Sequence, residues 1–138
     1  REMQARYPGR VAVKIGFIPS LSKKIYAGAD AFLMPSKSEP CGLAQMVAAR
    51  YGTLPIVRET GGLKDSIHDV GQEDGQGNGF TFKTYNAHDM LGAIQRAEGL
   101  YGNKPLWKEA MQGAMNSDFS WKKSAQEYLD MYRMIMND

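Results

Sequence analysis

Along this chain, short apolar runs alternate with stretches whose apolar residues recur at helical spacing. VAVKIGF, residues 11–17, is short and rich in β-branched residues, which predicts a strand. Pro19 and Ser20 follow as a helix-start signal, and LSKKIYAGA continues as a helix. The next apolar run, 31–34, opens after Asp30 and stops at Pro35-Ser36, as a strand does when it ends in a loop. In GLAQMVAARYG, Leu43, Met46, Val47 and Arg50/Tyr51 recur at helical spacing, and Gly52 supplies a C-terminal stop. LPIVRE, 54–59, reads as a third strand, TGGLKDSI as a turn and short helical segment, and GFTFK, 79–83, as a fourth strand.

The second half reads as helical. Asn86 caps AHDMLGAIQRAEGLY, in which Met90, Leu91, Ile94 and Ala97 share a face. Pro105 opens PLWKEAMQGAMN, and SWKKSAQEYLDMYRMIMND closes the chain as a long amphipathic helix. GQEDGQGNG, 71–79, has four glycines and no apolar residue, which predicts a flexible surface loop. Strands alternating with helices from 11 to 98 predict an α/β fold with a Rossmann-like parallel sheet and right-handed crossovers. In such sheets ligands bind outside the carboxyl ends of the strands. The loops SKSEPCG and ETGG stand at that edge.

Composition narrows the class without naming it. The chain has 138 residues, 43% hydrophobic and 23% charged, which excludes disorder as its main state. A net charge of +2 is too small for a general nucleic-acid binder. Residues 1–69 carry ten Lys/Arg against six Asp/Glu, whereas 70–138 carry seven against nine. A basic first half suits a small anionic ligand such as a phosphate. One cysteine, Cys41, excludes an internal disulfide framework and a cysteine zinc cluster. No apolar run approaches the roughly 20 residues that span a bilayer.

Three places can carry chemistry. SEPCGL joins a strand to a helix, so the amides of Gly42, Leu43 and Ala44 offer an anion site at the helix start. Gly42 lets a ligand approach the backbone closely, and Glu39 can bond sugar hydroxyls or cap the helix. Gly61 and Gly62 either hug a ligand or make a tight turn, with Thr60 and Asp65 as polar contacts or caps. Phe17 closes the first run at the same edge and either stacks on a base or belongs to the core. His68 and His88 stand apart among polar residues and read as surface positions, not as a metal or catalytic pair. Met90, Met111, Met115, Met131 and Met134 fall on helix faces and read as packing. Trp121, Tyr128, Leu129, Tyr132 and Ile135 form a stripe for a core or a domain interface. GxGxxG, P-loop and GxSxG motifs are absent.

PSKSEPCGLAQ at 35–45, followed by RYGTLPIVRETGGLKDSI at 50–67 and GNGFTF at 77–82, resembles the bacterial glycogen synthase and plant starch synthase family. FSWKKSAQEYLDMYRMI, 119–135, is similar to that family's terminal helix, so the resemblance covers nearly the whole chain. It implies a GT-B enzyme of two facing Rossmann-like domains that transfers glucose from ADP-glucose to the non-reducing end of an α-1,4-glucan with retention. Residues 1–138 are then most of the C-terminal, nucleotide-sugar-binding domain, with 118–138 as the terminal crossover helix. Glu39 matches the carboxylate at the donor glucose, near the reacting centre. Cys41 and Gly42 match the sugar and phosphate pocket, and the amides of Leu43 and Ala44 match the seat of the distal phosphate. Phe17 matches the aromatic against the adenine, commonly Tyr. Ala44 stands where some members have Thr, so a hydroxyl bond to phosphate is lost.

The resemblance also sets expectations about what lies outside the chain. The family's first strand and its Arg…Lys motif precede the matching region, and Arg10 and Lys14 stand in the wrong context to be that motif. The chain alone is therefore expected to be inactive. The resemblance implies ADP-glucose as donor substrate with no cofactor or metal, an α-1,4-glucan acceptor on the other domain, and no nucleic-acid or membrane partner. It implies a cytoplasmic location, or a plastid in a plant. Part of the apolar stripe of the last helix, toward Tyr132 and Ile135, is expected to be exposed, or covered by another copy of the chain. The competing readings are a non-catalytic nucleotide- or glucan-binding α/β module and a generic sugar-nucleotide or dinucleotide domain. The missing GxGxxG and the EPCGL motif both count against the last of these.

Overall fold

The computed structural model describes residues 1–71 and 77–137. Most of the glycine-rich stretch expected as a surface loop lies outside them. Its described end does not behave as such a loop, because Gly77, Asn78 and Gly79 are buried. The elements run α1 (Glu2–Arg6), α2 (Pro19–Gly28), β1 (Ala31–Met34), α3 (Ala44–Arg50), β2 (Leu54–Arg58), α4 (Gly62–Ser66), β3 (Phe80–Phe82), α5 (Ala87–Gly102), α6 (Lys104–Asn116) and α7 (Trp121–Asn137).

The three strands form one parallel sheet in the order β1-β2-β3. Alternation along β2 divides the core. Leu54 and Ile56 join Phe80, Phe82, Ala93, Ala97, Trp107, Ala110 and Ala114 on the side of α5 and α6. Val57 faces the other way, against Leu63 and Ile67 of the α4 region, with Met34 beside them. Pro55 sits inside the central strand without a conflict, because β2 meets β3 only from Ile56 onward. Thr53, buried ahead of β2, holds its hydroxyl between the carbonyls of Tyr26 and Ala29, which ties the end of α2 to the sheet.

Helix caps follow the sequence closely. Asn86 accepts from the amide of Asp89 at 2.8 Å and starts α5. Asn103 accepts from Leu106 and starts α6, with Pro105 in its first turn.

Several packing expectations are corrected. Residues 11–17 have no regular structure and pair with no described strand, and Ile15 and Phe17 are exposed, so this run is not a strand here. A strand needs a neighbour for its amides and carbonyls, and β1 pairs only with β2. α3 buries Gln45, Ala48 and Ala49 rather than its larger apolar residues; Leu43 and Val47 are exposed. The small side chains let α3 lie close to β2 and α6. On α5, Met90 and Ile94 pack on the core while Leu91 is half exposed. Met111 packs too, but Met115, Met131 and Met134 do not. The stripe on α7 is exposed throughout: Trp121 90%, Tyr128 61%, Leu129 50%, Tyr132 55% and Ile135 65%. Exposure expected of part of the stripe, toward Tyr132 and Ile135, is thus observed there and extends to the other three positions.

One polar network closes the sheet side of α5. Asp69 is buried and accepts from the amides of Thr81 and Gly71 and from the Arg96 guanidinium, at 2.8–2.9 Å. Arg96 also donates to the carbonyl of Thr81. Burial pushes the Asp69 carboxyl up, but the two amides and Arg96 outweigh it and hold the group below the ordinary carboxylate range. A depressed carboxyl stabilises the fold fully at pH above its unfolded value and loses that contribution as pH falls through the folded value. Asp69→Asn is therefore expected to lower stability by about 1–3 kcal/mol at pH 7. Urea melts of the two proteins should converge as pH is lowered through and below the ordinary carboxylate range.

Candidate functional site

The three strands end side by side, at Met34, Arg58 and Phe82, and three loops leave them at the carboxyl edge. The loop after β1, residues 35–43, has no regular structure, yet its carbonyls are almost fully accounted for. Arg58 donates through Nε to Ser36 at 2.9 Å and through Nη2 to Lys37. The amide of Gly62 reaches the carbonyls of Glu39 and Pro40, each at 3.2 Å. Gln45 Nε2 donates to the carbonyls of Cys41 at 3.2 Å and Gly42 at 3.0 Å. Six of the seven carbonyls from Ser36 to Gly42 are tied down by three donors, Ser38 being the exception among the described residues.

The amides of the same segment are the counterpart. Those of Gly42, Leu43 and Ala44 meet no acceptor among the described residues. A backbone with its carbonyls engaged and its amides free is receptive to an anion. α3 is short, seven residues, so its dipole adds little and the free amides carry the effect.

Glycine makes this arrangement possible. Gly42 has φ +73°, a left-handed conformation that other residues adopt at a cost. A Cβ on Gly62 would overlap the carbonyl of Cys41, and one on Gly61 would overlap that of Glu39. These two glycines thus press the loop after β2 against the loop after β1. Of the two readings open for them, a close turn or a ligand contact, the structure supplies a third: a backbone-to-backbone contact between loops.

Glu39 is half-buried, and its side chain makes no hydrogen bond among the described residues. It does not cap α3, whose first turn has Leu43 at the cap position with no side-chain bond. Cys41 is exposed and free, with Sγ 3.7 Å from the carbonyl of Gly42. Thr60 and Asp65 make no side-chain cap at α4. Glu39, Cys41, Gly42, Leu43, Ala44, Gly61 and Gly62 therefore come together. Phe17 does not join them through any hydrogen bond; it stands 94% exposed on the irregular 11–17 segment, and its reading as a core residue is overturned.

The third loop is fixed separately. Thr84 donates its amide and hydroxyl to Asp89, and these bonds hold that carboxyl below the ordinary range. Arg58 reaches this loop as well, with Nη1 at 3.4 Å from the carbonyl of Lys83 and the guanidinium 5.7 Å from the Tyr85 ring centre. A cavity of about 300 Å³ opens beside it, lined by Pro35, Phe82, Tyr85, Asn86, Ala87 and Met90. His68 and His88 are on the surface as expected, and no group of three His, Cys, Asp or Glu among the described residues could hold a metal. Sequence reasoning passed over Gln45 and Arg58. A buried Gln in a helix and an Arg ending an apolar strand were the available signals.

A parallel sheet flanked by helices, with glycine-shaped loops at its carboxyl edge, places the chain among open α/β domains. The family model for glycosyl transferases group 1 matches residues 10–106, and the chain belongs to that family. It is 52% identical over 134 residues to a glycogen synthase of Bacillus cereus, and 54% identical over 136 to one of Anoxybacillus flavithermus. These alignments cover 97% and 99% of the chain but 28% of each relative, so the chain spans about a quarter of the curated relatives it matches. Among solved structures, the catalytic domain of starch synthase IV from Arabidopsis thaliana bound to ADP and acarbose superposes with a TM-score of 0.84. It shares 36% identity, over 99% of the chain and 29% of that structure. The expected α/β sheet of a GT-B glycosyltransferase is thus observed, with three strands among the described residues in place of four.

The loop contact yields a stability test. Gly62→Ala forces a methyl group into the Cys41 carbonyl and is expected to destabilise the domain by about 1–3 kcal/mol. Gly28→Ala, at a position with open space around it, should not. Urea unfolding midpoints of the two variants check the contrast.

Proposed function

We propose that this chain is most of the donor-nucleotide domain of a retaining glucosyltransferase that moves glucose from ADP-glucose to the non-reducing end of an α-1,4-glucan, in glycogen or starch synthesis. The observation that carries the reading is the loop 36–44, with six of its carbonyls engaged and, among the described residues, the amides of Gly42, Leu43 and Ala44 free and Glu39 unpartnered beside them. The glycogen synthase relatives and the ADP-bound starch synthase support the substrate class, and the choice of ADP over UDP rests on them.

In this reading the amides of Gly42, Leu43 and Ala44 receive the distal phosphate, beside Cys41. The bond between the anomeric carbon and that phosphate breaks, and negative charge grows on the departing ADP. Fixed N–H dipoles meet this charge without having to reorganise, which is where such a site lowers the barrier. The anomeric carbon bonds to an acceptor hydroxyl oxygen, and the hydroxyl proton passes to an oxygen of the departing phosphate, which has just gained the charge to accept it. Glu39 holds the glucose hydroxyls while positive charge develops on the ring. Phe17, with its face in solvent, stacks on the adenine. Gly61 and Gly62 act through the loop they support. The exposed α7 stripe is an apolar surface of the kind that seldom stays bare, and we propose that copies of the isolated chain associate through it.

Two measurements test the reading. In the protein at its full natural length, Glu39→Ala should reduce glucosyl transfer by a factor on the order of 100 while ADP affinity changes by less than about threefold. Wild-type turnover in that variant removes Glu39 from the site, and equal affinity for ADP and UDP removes the donor assignment. For α7, Tyr132→Lys with Ile135→Lys should convert a concentration-dependent oligomer of the 138-residue chain to monomer in sedimentation velocity; a wild-type chain that is monomeric throughout rejects the association.

A further inference from the structure

Arg58 stands at one place in the fold where three loops meet. It is the last residue of the central strand, and its guanidinium spans from the loop after β1 to the loop after β3. Of the three donors that tie down loop 36–42, Gly62 and Gln45 hold its second half, Glu39 to Gly42. Among the described residues, Arg58 alone holds its first half, Ser36 and Lys37, and alone joins that half to Lys83 across the sheet edge. Glu39 lies two residues beyond this anchor, with no bond on its own side chain to set its height. Its position is therefore set by the backbone on either side of it.

We propose that Arg58 is a positioning residue for glucosyl transfer: its planar fork fixes the entry to the Glu39 loop, so that the carboxylate and the free amides of Gly42–Ala44 face the same donor sugar and phosphate. This rests on the reading of the site given above. The chemistry favours arginine for the task. Five N–H donors in a rigid plane reach acceptors in three directions, and the flat face packs toward the Tyr85 ring. A lysine at the same point supplies a compact charge that cannot span carbonyls on two loops at once. Bonds from a charged donor to carbonyls are also stronger than neutral ones, which suits a loop without regular structure. Arg58 is only half-buried and belongs to neither apolar cluster, so its loss should loosen the loop without emptying the core.

The test compares Arg58→Ala and Arg58→Lys with wild type in the full-length protein. Amide exchange of residues 36–43 should speed up in Arg58→Ala, whereas exchange in β2 and α5 stays at the wild-type rate. Turnover with ADP-glucose should drop by a factor on the order of 100, as expected when a reacting group is displaced by about 1 Å. KM should move by less than about threefold, since the lost interaction orients the reacting groups rather than binding the donor. Free guanidinium ion added to Arg58→Ala should restore part of the turnover, and Arg58→Lys should fall between the two. Wild-type turnover in Arg58→Ala overturns the proposal. So does lost turnover with unchanged exchange at 36–43, which would mean direct contact with substrate, or a raised KM at unchanged turnover, which would mean binding. If Arg58→Ala does not fold, Arg58→Gln and Arg58→Lys carry the same comparison. A wild-type protein that transfers no glucose from ADP-glucose rejects the functional reading itself, an outcome distinct from each of these.

Discussion

A loop without regular structure holds one shape only where its backbone groups find partners, and the loop after β1 finds donors for its carbonyls with no strand or helix of its own. Its donors come from elsewhere in the chain: a guanidinium at the end of β2, an amide just beyond it and a carboxamide within α3. That requirement sets much of the rest. β2 must be central and buried, so that its carboxyl end delivers Arg58 and Gly62 to one spot. Two glycines must follow it, because any side chain at either would meet a carbonyl of the partner loop. Gln45 must be enclosed beneath the loop, which leaves α3 to pack through alanines.

The same economy of size runs through the core. Ala48, Ala49, Ala93, Ala97, Ala110 and Ala114 are all buried, while Leu43, Leu91 and Leu106 are not. Small residues bring the helices near the sheet, and the aromatic bulk of Phe80, Phe82 and Trp107 fills the remaining space. Asn78 shows the polar version of this. Its side chain accepts from the amide of His68 and donates to Ser66 and Ser117, so one amide group joins three segments under the sheet.

Much of this was legible in the sequence. Three of the four strands, the Asn86 cap and the order of the helices follow from local pattern, since each depends on neighbours in the chain. The cluster from Glu39 to Ala44 was legible for the same reason, as a strand-to-helix loop at a known edge. What pattern missed depends on distant partners. The run at 11–17 has a strand's composition, but pairing needs a second strand. The face of α3 was misread because close approach selects alanine, whereas a periodicity argument follows the largest apolar residues. Arg58 and Gln45 escaped notice because their roles exist only once three loops converge.

α7 stands apart from all of these layers. Its seventeen residues bury no apolar side chain against the sheet or the other helices. A helix of that length in water is near the limit at which propensity alone sustains it. Its melting is therefore uncoupled from that of the β2-centred core. Heating the chain would lose part of its helical ellipticity early and gradually, while the fluorescence of buried Trp107 waits for the cooperative transition. Trp121, already 90% exposed, would report almost nothing of either event. The two tryptophans thus divide the molecule into a part that unfolds as a unit and a part that frays.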